Sequence, residues 1–313
     1  MVQWITETFG LVARESWAVE QIFECFRNLF SAGSLQRFTA LLMAIGELIG
    51  MLMSGTPVTP FGEEVNLEGY SLVFEDEFEG DSVNWDVWRS RAEGPNGIAN
   101  LSSSQASVKD GALYLTGEYL EDGAYGEGWY AADLALREKY TYGYYEARCI
   151  ANNGTGFWSA FWLRSDHPYE PEYSMGGPGG AEIDVLESLN WDKGLDANKF
   201  TIHVAGIDGA DDKGIDSYHM PTFYGNNIYT EYNTYGLLWT EDEYILYMNG
   251  KECIRTSFGN GTCQEPMEVL LSLCIPGDPN STLYKNLQSM DHDVKQDFII
   301  DYVKIYQKTP AAE

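Results

Sequence analysis

The 313-residue chain is 44% hydrophobic and 14% aromatic, with 32 Gly and nine Trp, which suits a folded protein and excludes a disordered or fibrous one. Forty-eight Asp and Glu against 19 Lys and Arg give a net charge of -29. Such a surface repels a phosphate backbone and an anionic lipid face, so nucleic acid is excluded as a partner and a neutral ligand is favoured.

In chain order, residues 1–10 lack the basic start, apolar stretch and small-residue cleavage site of an export signal. Residues 38–53, FTALLMAIGELIGMLM, are too short and too interrupted by Glu47 to read as a membrane span. Val19, Ile22, Phe23, Phe26 and Phe30 share one helical face, and Phe38, Leu41, Leu42, Ile45, Leu48, Ile49 and Leu52 share another. Residues 1–53 are therefore expected to form an amphipathic helical pair. It packs on the following domain, associates with another copy of itself, attaches to a membrane surface or partner, or is an atypical export signal. Residues 54–66, SGTPVTPFGEEVN, turn from apolar to acidic around two Pro and two Gly, and form the expected linker.

Beyond residue 66 the texture changes to short runs rich in Val, Ile, Tyr and Phe, broken by Gly, Asn and Asp. YSLVFEDEF, GALYLTG, YGYYEARCIA, FWSAFWL, EIDVLES, KFTIHVAG, TYGLLWT, YILYMNGKECI, MEVLLSLCI and DFIIDYVKIYQ all read as strands, with Asn249-Gly250 as a hairpin turn. No helical periodicity separates them. The fold class is all-β, a sandwich of two packed antiparallel sheets over residues 67–309, with residues 310–313 as a tail. Two Gly-containing segments, residues 167–180 and 206–227, the second carrying His219, are expected as loops and are termed the first and second insertion. None of the five cysteines has zinc-ligand spacing; Cys253 and Cys263 bracket a turn, which allows one disulfide if the chain is exported, while the odd count and the lack of a dense framework leave both thiols free as the alternative.

The chemistry lies in residues 176–188, GGPGGAEIDVLES, where Glu182, Asp184 and Glu187 fall on one strand. A chain this acidic is expected to hold about one such triplet by chance, so a solvated strand is the bland alternative. Parity sharpens the matter. Glu182 and Asp184 share a face of a regular strand, but Glu187 points to the other. One extra residue taken up as a β-bulge between Asp184 and Glu187 returns Glu187 to the first face. Gathering three like charges raises the pKa of at least one, a cost that a purely structural strand has no reason to bear. Retaining glycoside hydrolysis requires such a set: Glu182 as ionised nucleophile, Glu187 as protonated acid and later base, and Asp184 orienting Glu182 between them. In FWSAFWL, alternation puts Trp158 and Trp162 on one side, as flat apolar platforms for sugar rings.

AEIDVLES resembles the ExDxxE signature of glycoside hydrolase family 16, the laminarinase-like enzymes. VFEDEFEG, YGYYEARCIA, GFWSAFWLRSD, TYGLLWTEDEYILYMNGK and FIIDYVKIYQ resemble the family's other blocks in the expected order. The resemblance implies a concanavalin-like β-jelly roll and a retaining, endo-acting hydrolase of a polysaccharide, with no organic cofactor. It implies Glu182 as nucleophile, Asp184 as assisting acid and Glu187 as acid/base, with Trp162 and His203 against substrate. It also implies a location outside the cell or on its surface. Glu77 and Asp301 resemble the usual contributors to a structural Ca²⁺ site. The two-residue gap before Glu187 resembles the bulged branch, which holds laminarinases, agarases, porphyranases and carrageenases. Ser159, Val204 and Cys274 depart from the laminarinase pattern. The substrate expected is a β-1,3- or β-1,3-1,4-glucan, with a β-galactan such as agarose or porphyran as the alternative; a noncatalytic carbohydrate-binding jelly roll is the competing class, and transglycosylation by the same residues stays open.

Overall fold

The computed structural model describes residues 57–168, 180–205, 215–258 and 261–309. The expected helical pair over residues 1–53, with Cys25, lies outside these residues, as does most of the first insertion. The chain divides between Thr56 and Pro57, and residues 57–313 form one unit.

Eighteen strands follow one another: β1 (Tyr70–Asp76), β2 (Trp88–Ser90), β3 (Gly94–Asn96), β4 (Ala99–Leu101), β5 (Ala106–Lys109), β6 (Ala112–Leu120), β7 (Gly128–Ala131), β8 (Asp133–Leu136), β9 (Gly143–Ile150), β10 (Trp158–Arg164), β11 (Glu182–Glu187), β12 (Ala197–Ala205), β13 (Ile215–Tyr224), β14 (Asn233–Trp239), β15 (Tyr244–Met248), β16 (Lys251–Thr256), β17 (Glu268–Cys274) and β18 (Gln296–Lys308). They form two sheets. One has seven strands in the order β13-β12-β11-β10-β17-β8-β2, all antiparallel. The other has eleven, running β16-β15-β14-β9-β18-β6-β7-β4-β3, with β1 on β18 and β5 on β6. Among the described residues the β4–β7 strand pair is parallel, as is the isolated bridge of Val58 to Phe223; the other strand pairs are antiparallel as expected. β11 packs on β14, and β17 on β6 and β18, so the two sheets form a jelly-roll sandwich.

Alternation explains the layering. On β10, Phe161 and Leu163 are wholly buried between the sheets, as are Ile183 on β11, Phe200 and Ile202 on β12, and Leu271 and Leu273 on β17. Facing them are Tyr235 and Leu237 on β14, Ala147 and Cys149 on β9, and Phe298 and Ile300 on β18. The alternate residues of these strands, on the outer face, are left to carry function.

Three expectations are corrected here. The second insertion is not a loop throughout, because β13 pairs with β12 and places His219 opposite Thr201. Pro221 within it obscures a strand pattern, but β13 is the edge of its sheet, where a residue without an N–H is tolerated. A helix of eight residues, α1 (Thr282–Ser289), stands between β17 and β18 where no helical pattern was expected, within a fold that stays all-β in class, with Ser281 Oγ accepting from the Tyr284 N–H at 3.1 Å as its cap. Cys253 and Cys263 form no disulfide: both are buried free thiols, each directed to a backbone carbonyl, Lys251 O and Glu265 O.

Candidate active site

β10 and β11 run antiparallel with Arg164 opposite Glu182, Leu163 opposite Ile183, and Trp162 opposite Asp184. The register then shifts. Phe161 pairs with Leu186 and Ala160 with Glu187, which leaves Val185 as the extra residue of a β-bulge. Residues 160, 162 and 164 lie on one face of β10, so their partners Glu187, Asp184 and Glu182 share that face too. The bulge required by parity is present, and Ile183, Val185 and Leu186 are all wholly buried on the other side.

The same outer face continues across the sheet. Glu182 lies opposite His203 on β12, and His203 opposite Ser217 on β13. Cys274, Ser272, Leu270 and Glu268 lie opposite Trp158, Ala160, Trp162 and Arg164. The ligand atoms of Glu182, Asp184 and His203 all fall within 4.8 Å of one another. His203 Nε2 stands 3.2 Å from Asp184 Oδ2, and its Nδ1 is 2.6 Å from Ser217 Oγ. His203, expected against substrate, is thus seated on the central aspartate. Arg164 Nε is 3.5 Å from Glu182 Oε2, placing a cation beside that carboxylate.

Burial and crowding set the protonation of the other two acids. Burial and the neighbouring Glu182 charge push the Asp184 carboxyl well above the usual carboxylate range, with Lys199 opposing. Glu187 is pushed up to about 8 by burial and by Asp184, against the pull of Lys199, His203 and a hydrogen bond from Thr201 Oγ1 at 3.2 Å. A carboxyl poised near 8 holds its proton at neutral pH and can donate it.

Trp162 lies on the functional face but is only 9% exposed. The Arg91 guanidinium stands 4.8 Å from its ring centroid, and its indole N–H donates to Ser272 Oγ at 2.9 Å. Ser272 Oγ donates to Asp133 at 2.7 Å, and Arg91 donates to the other Asp133 oxygen at 2.9 Å, closing the circuit. Trp158 is half-buried opposite Cys274. Of the three departures from the laminarinase pattern, Cys274 alone is on this face. Val204 and Ser159 are buried on the inner one, and Ser159 joins a polar knot with Asn152 and Ser188 beneath Glu187.

Glu77 and Asp301 do not fit a shared Ca²⁺ site. Lys304 Nζ is 2.9 Å from Glu77, which holds that carboxyl below its usual range, and it is also paired with Glu75. Arg148 is 2.5 Å from Asp301. Each carboxylate already carries a protein cation, and among the described residues the group of three metal-capable side chains is Glu182, Asp184 and His203. Residues that sequence reasoning missed are Arg164, Asn198, Lys199, Thr201, Ser217 and the Arg91–Asp133–Ser272 circuit. Asn198 alone left a trace: it is a polar residue at an inward position of the row that continues through Phe200 and Ile202.

Residues 72–308 match the family model described as "Beta-porphyranase A-D, GH16 domain", and the chain belongs to glycoside hydrolase family 16. Among curated proteins it is similar to the glucan endo-1,3-beta-glucosidase A1 of Niallia circulans, at 23% identity over 81% of this chain and 39% of that one. It is also similar to the endo-1,3-1,4-beta-glycanase ExsH of Rhizobium meliloti, at 28% identity over 53% of this chain and 30% of that one. The chain therefore spans well under half the length of these relatives. Among solved structures, the non-specific endo-beta-1,3(4)-glucanase SCLam superposes with a TM-score of 0.62 at 21% identity, covering 80% of this chain and 97% of that one. The LamA catalytic domain of Zobellia galactanivorans superposes with a TM-score of 0.60 at 23% identity, covering 76% and 98%. Both share the fold.

Proposed function

We propose that this protein is a retaining, endo-acting glycoside hydrolase of a β-linked polysaccharide, with β-1,3- or β-1,3-1,4-glucan as its substrate. The observation that carries the reading is the bulge at Val185, which brings Glu187, poised near 8, onto the face of Glu182 and Asp184. In the first step Glu182 attacks the anomeric carbon. The bond to the leaving oxygen breaks as Glu187 gives that oxygen its proton, and a glycosyl ester of Glu182 forms. In the second, Glu187 takes a proton from water as the water oxygen attacks the same carbon and releases Glu182. Asp184, held by His203, stands between the two glutamates and orients Glu182 through both steps. The names of the similar proteins, a glucan endo-1,3-beta-glucosidase and an endo-1,3-1,4-beta-glycanase, support the substrate. No organic cofactor enters this chemistry, and a polymeric substrate puts the site of action outside the cell.

One observation favours a second substrate: the matching family model is a porphyranase one, and Cys274 on the functional face departs from the laminarinase pattern. A β-galactan of porphyran or agarose type is therefore the alternative. Reducing-sugar release from laminarin, lichenan, agarose, porphyran and carrageenan decides between them. The wild type is expected to cleave one class, and Glu182→Gln to lower that rate by at least about 10³-fold while binding persists. Binding by a folded wild type with no cleavage of any polymer would replace the hydrolase by a carbohydrate-binding jelly roll.

A further inference from the structure

On the β12 side, the strand pairing that supports the site ends at Asp184, short of Glu187. β11 and β12 pair at Glu182–His203, Ile183–Ile202 and Asp184–Thr201, and the extra residue at Val185 throws the next rungs out of step. A bulge leaves backbone groups without ladder partners, and at a buried position an unpaired N–H or carbonyl is costly. Asn198 on β12, itself wholly buried, meets both. Its Nδ2 donates to the Val185 carbonyl at 2.9 Å, and its Oδ1 accepts the Glu187 N–H at 3.0 Å. Three residues along the same strand, Thr201 holds the Glu187 carboxyl.

Resting on the acid/base reading of Glu187, we propose that Asn198 is the positioning residue of that acid: its carboxamide stands in for two missing rungs and fixes where the carboxyl emerges on the functional face. The residue type follows from the task. One donor and one acceptor must sit side by side on a rigid plane, which a primary amide offers. Aspartate has no donor, and leucine has the shape without either. With no exposed surface, Asn198 acts through Glu187 and not on substrate.

Asn198→Leu in the full chain tests this with readouts that a merely structural role would leave in place. ¹³C NMR of glutamate-labelled protein, with the Glu187 signal identified by its loss in Glu187→Gln, is expected to show titration near 8 in the wild type. In the leucine variant it is expected to fall by about one pH unit or more as the carboxyl turns to water. On the polymer that the panel identifies, kcat is expected to drop about 100-fold with KM nearly unchanged, and the alkaline limb to move with the titration. Asn198→Asp, which keeps the acceptor, is expected to lose less. In the wild type the Glu187 amide is expected to exchange slowly, as a clamped buried N–H does. A fast-exchanging Glu187 amide in the wild type would overturn the proposal without any variant, as would a folded leucine variant with unchanged titration and kcat. NMR titration and amide exchange need no substrate, so a wild type inactive on every polymer would remove the hydrolase reading while these two still decide the clamp.

Discussion

Glu187 carries a proton at neutral pH because burial and Asp184 both penalise its charge. The acid role proposed for it requires that proton, so activity is expected to fall as pH rises through about 8, measured as kcat/KM against pH. The same shift bears on stability. A carboxyl whose folded-state pKa is raised contributes stability that is complete below its ordinary value and is lost as pH rises through about 8. Glu187→Gln stays neutral throughout. It is expected to abolish turnover yet raise Tm at pH 9, by roughly 3 °C for each kcal/mol of relieved burial, with no gain at pH 4. Equal Tm differences at both pH values would show that Glu187 is solvated. The Trp162 circuit belongs to this scale as well, since Asp133, buried against Arg91 and Ser272, fixes both the indole and the cation on its ring.

At the scale of the element, the bulge on β11 decides the site. Without Val185 the strand would be regular, and Asp184 and Glu187, then two residues apart, would still share a face. Deletion of Val185 leaves Trp162–Asp184, Phe161–Leu186 and Ala160–Glu187 as consecutive pairs with β10. The deletion is therefore expected to fold, at a cost of about 2 kcal/mol for the lost buried side chain. Its kcat is expected to drop about 100-fold, because the Val185 carbonyl that Asn198 holds is gone and the carboxyl shifts by about an ångström. Reducing-sugar release with a thermal melt checks both parts. The polar knot of Asn152, Ser159 and Ser188 works on the same strand end, tying the β9–β10 loop to the residue after Glu187. A fully bonded buried network of this kind resists the repacking that an apolar substitute would allow.

For the whole molecule, the division at Thr56/Pro57 and the family match over residues 72–308 give the sandwich its own core. A chain beginning at Pro57 is expected to fold cooperatively and to keep the full chain's kcat within about twofold. Thermal unfolding and reducing-sugar release measure it, and aggregation of the shortened chain would show that residues 1–56 cover part of the sandwich.

The strands and the shared face of Glu182, Asp184 and Glu187 were legible because both rest on local patterns. Period-two alternation marks β10, β11, β12 and β18, and the parity of Glu182, Asp184 and Glu187 by itself calls for a bulge. β13 was hidden by Pro221 within an edge strand, and α1 by its brevity. The disulfide at Cys253 and Cys263 failed because a turn between two cysteines says nothing of where their side chains point. By itself the sequence determined the sheet architecture and which carboxylates share a face, since these follow from periodicity along one strand. Only the tertiary structure decided what stands around them. Lys199, Asn198, Thr201 and His203 reach the trio from a neighbouring strand, and Arg91 and Asp133 reach Trp162 from the residue after β2 and from β8, because burial and pairing across strands depend on long-range contacts that no local pattern encodes.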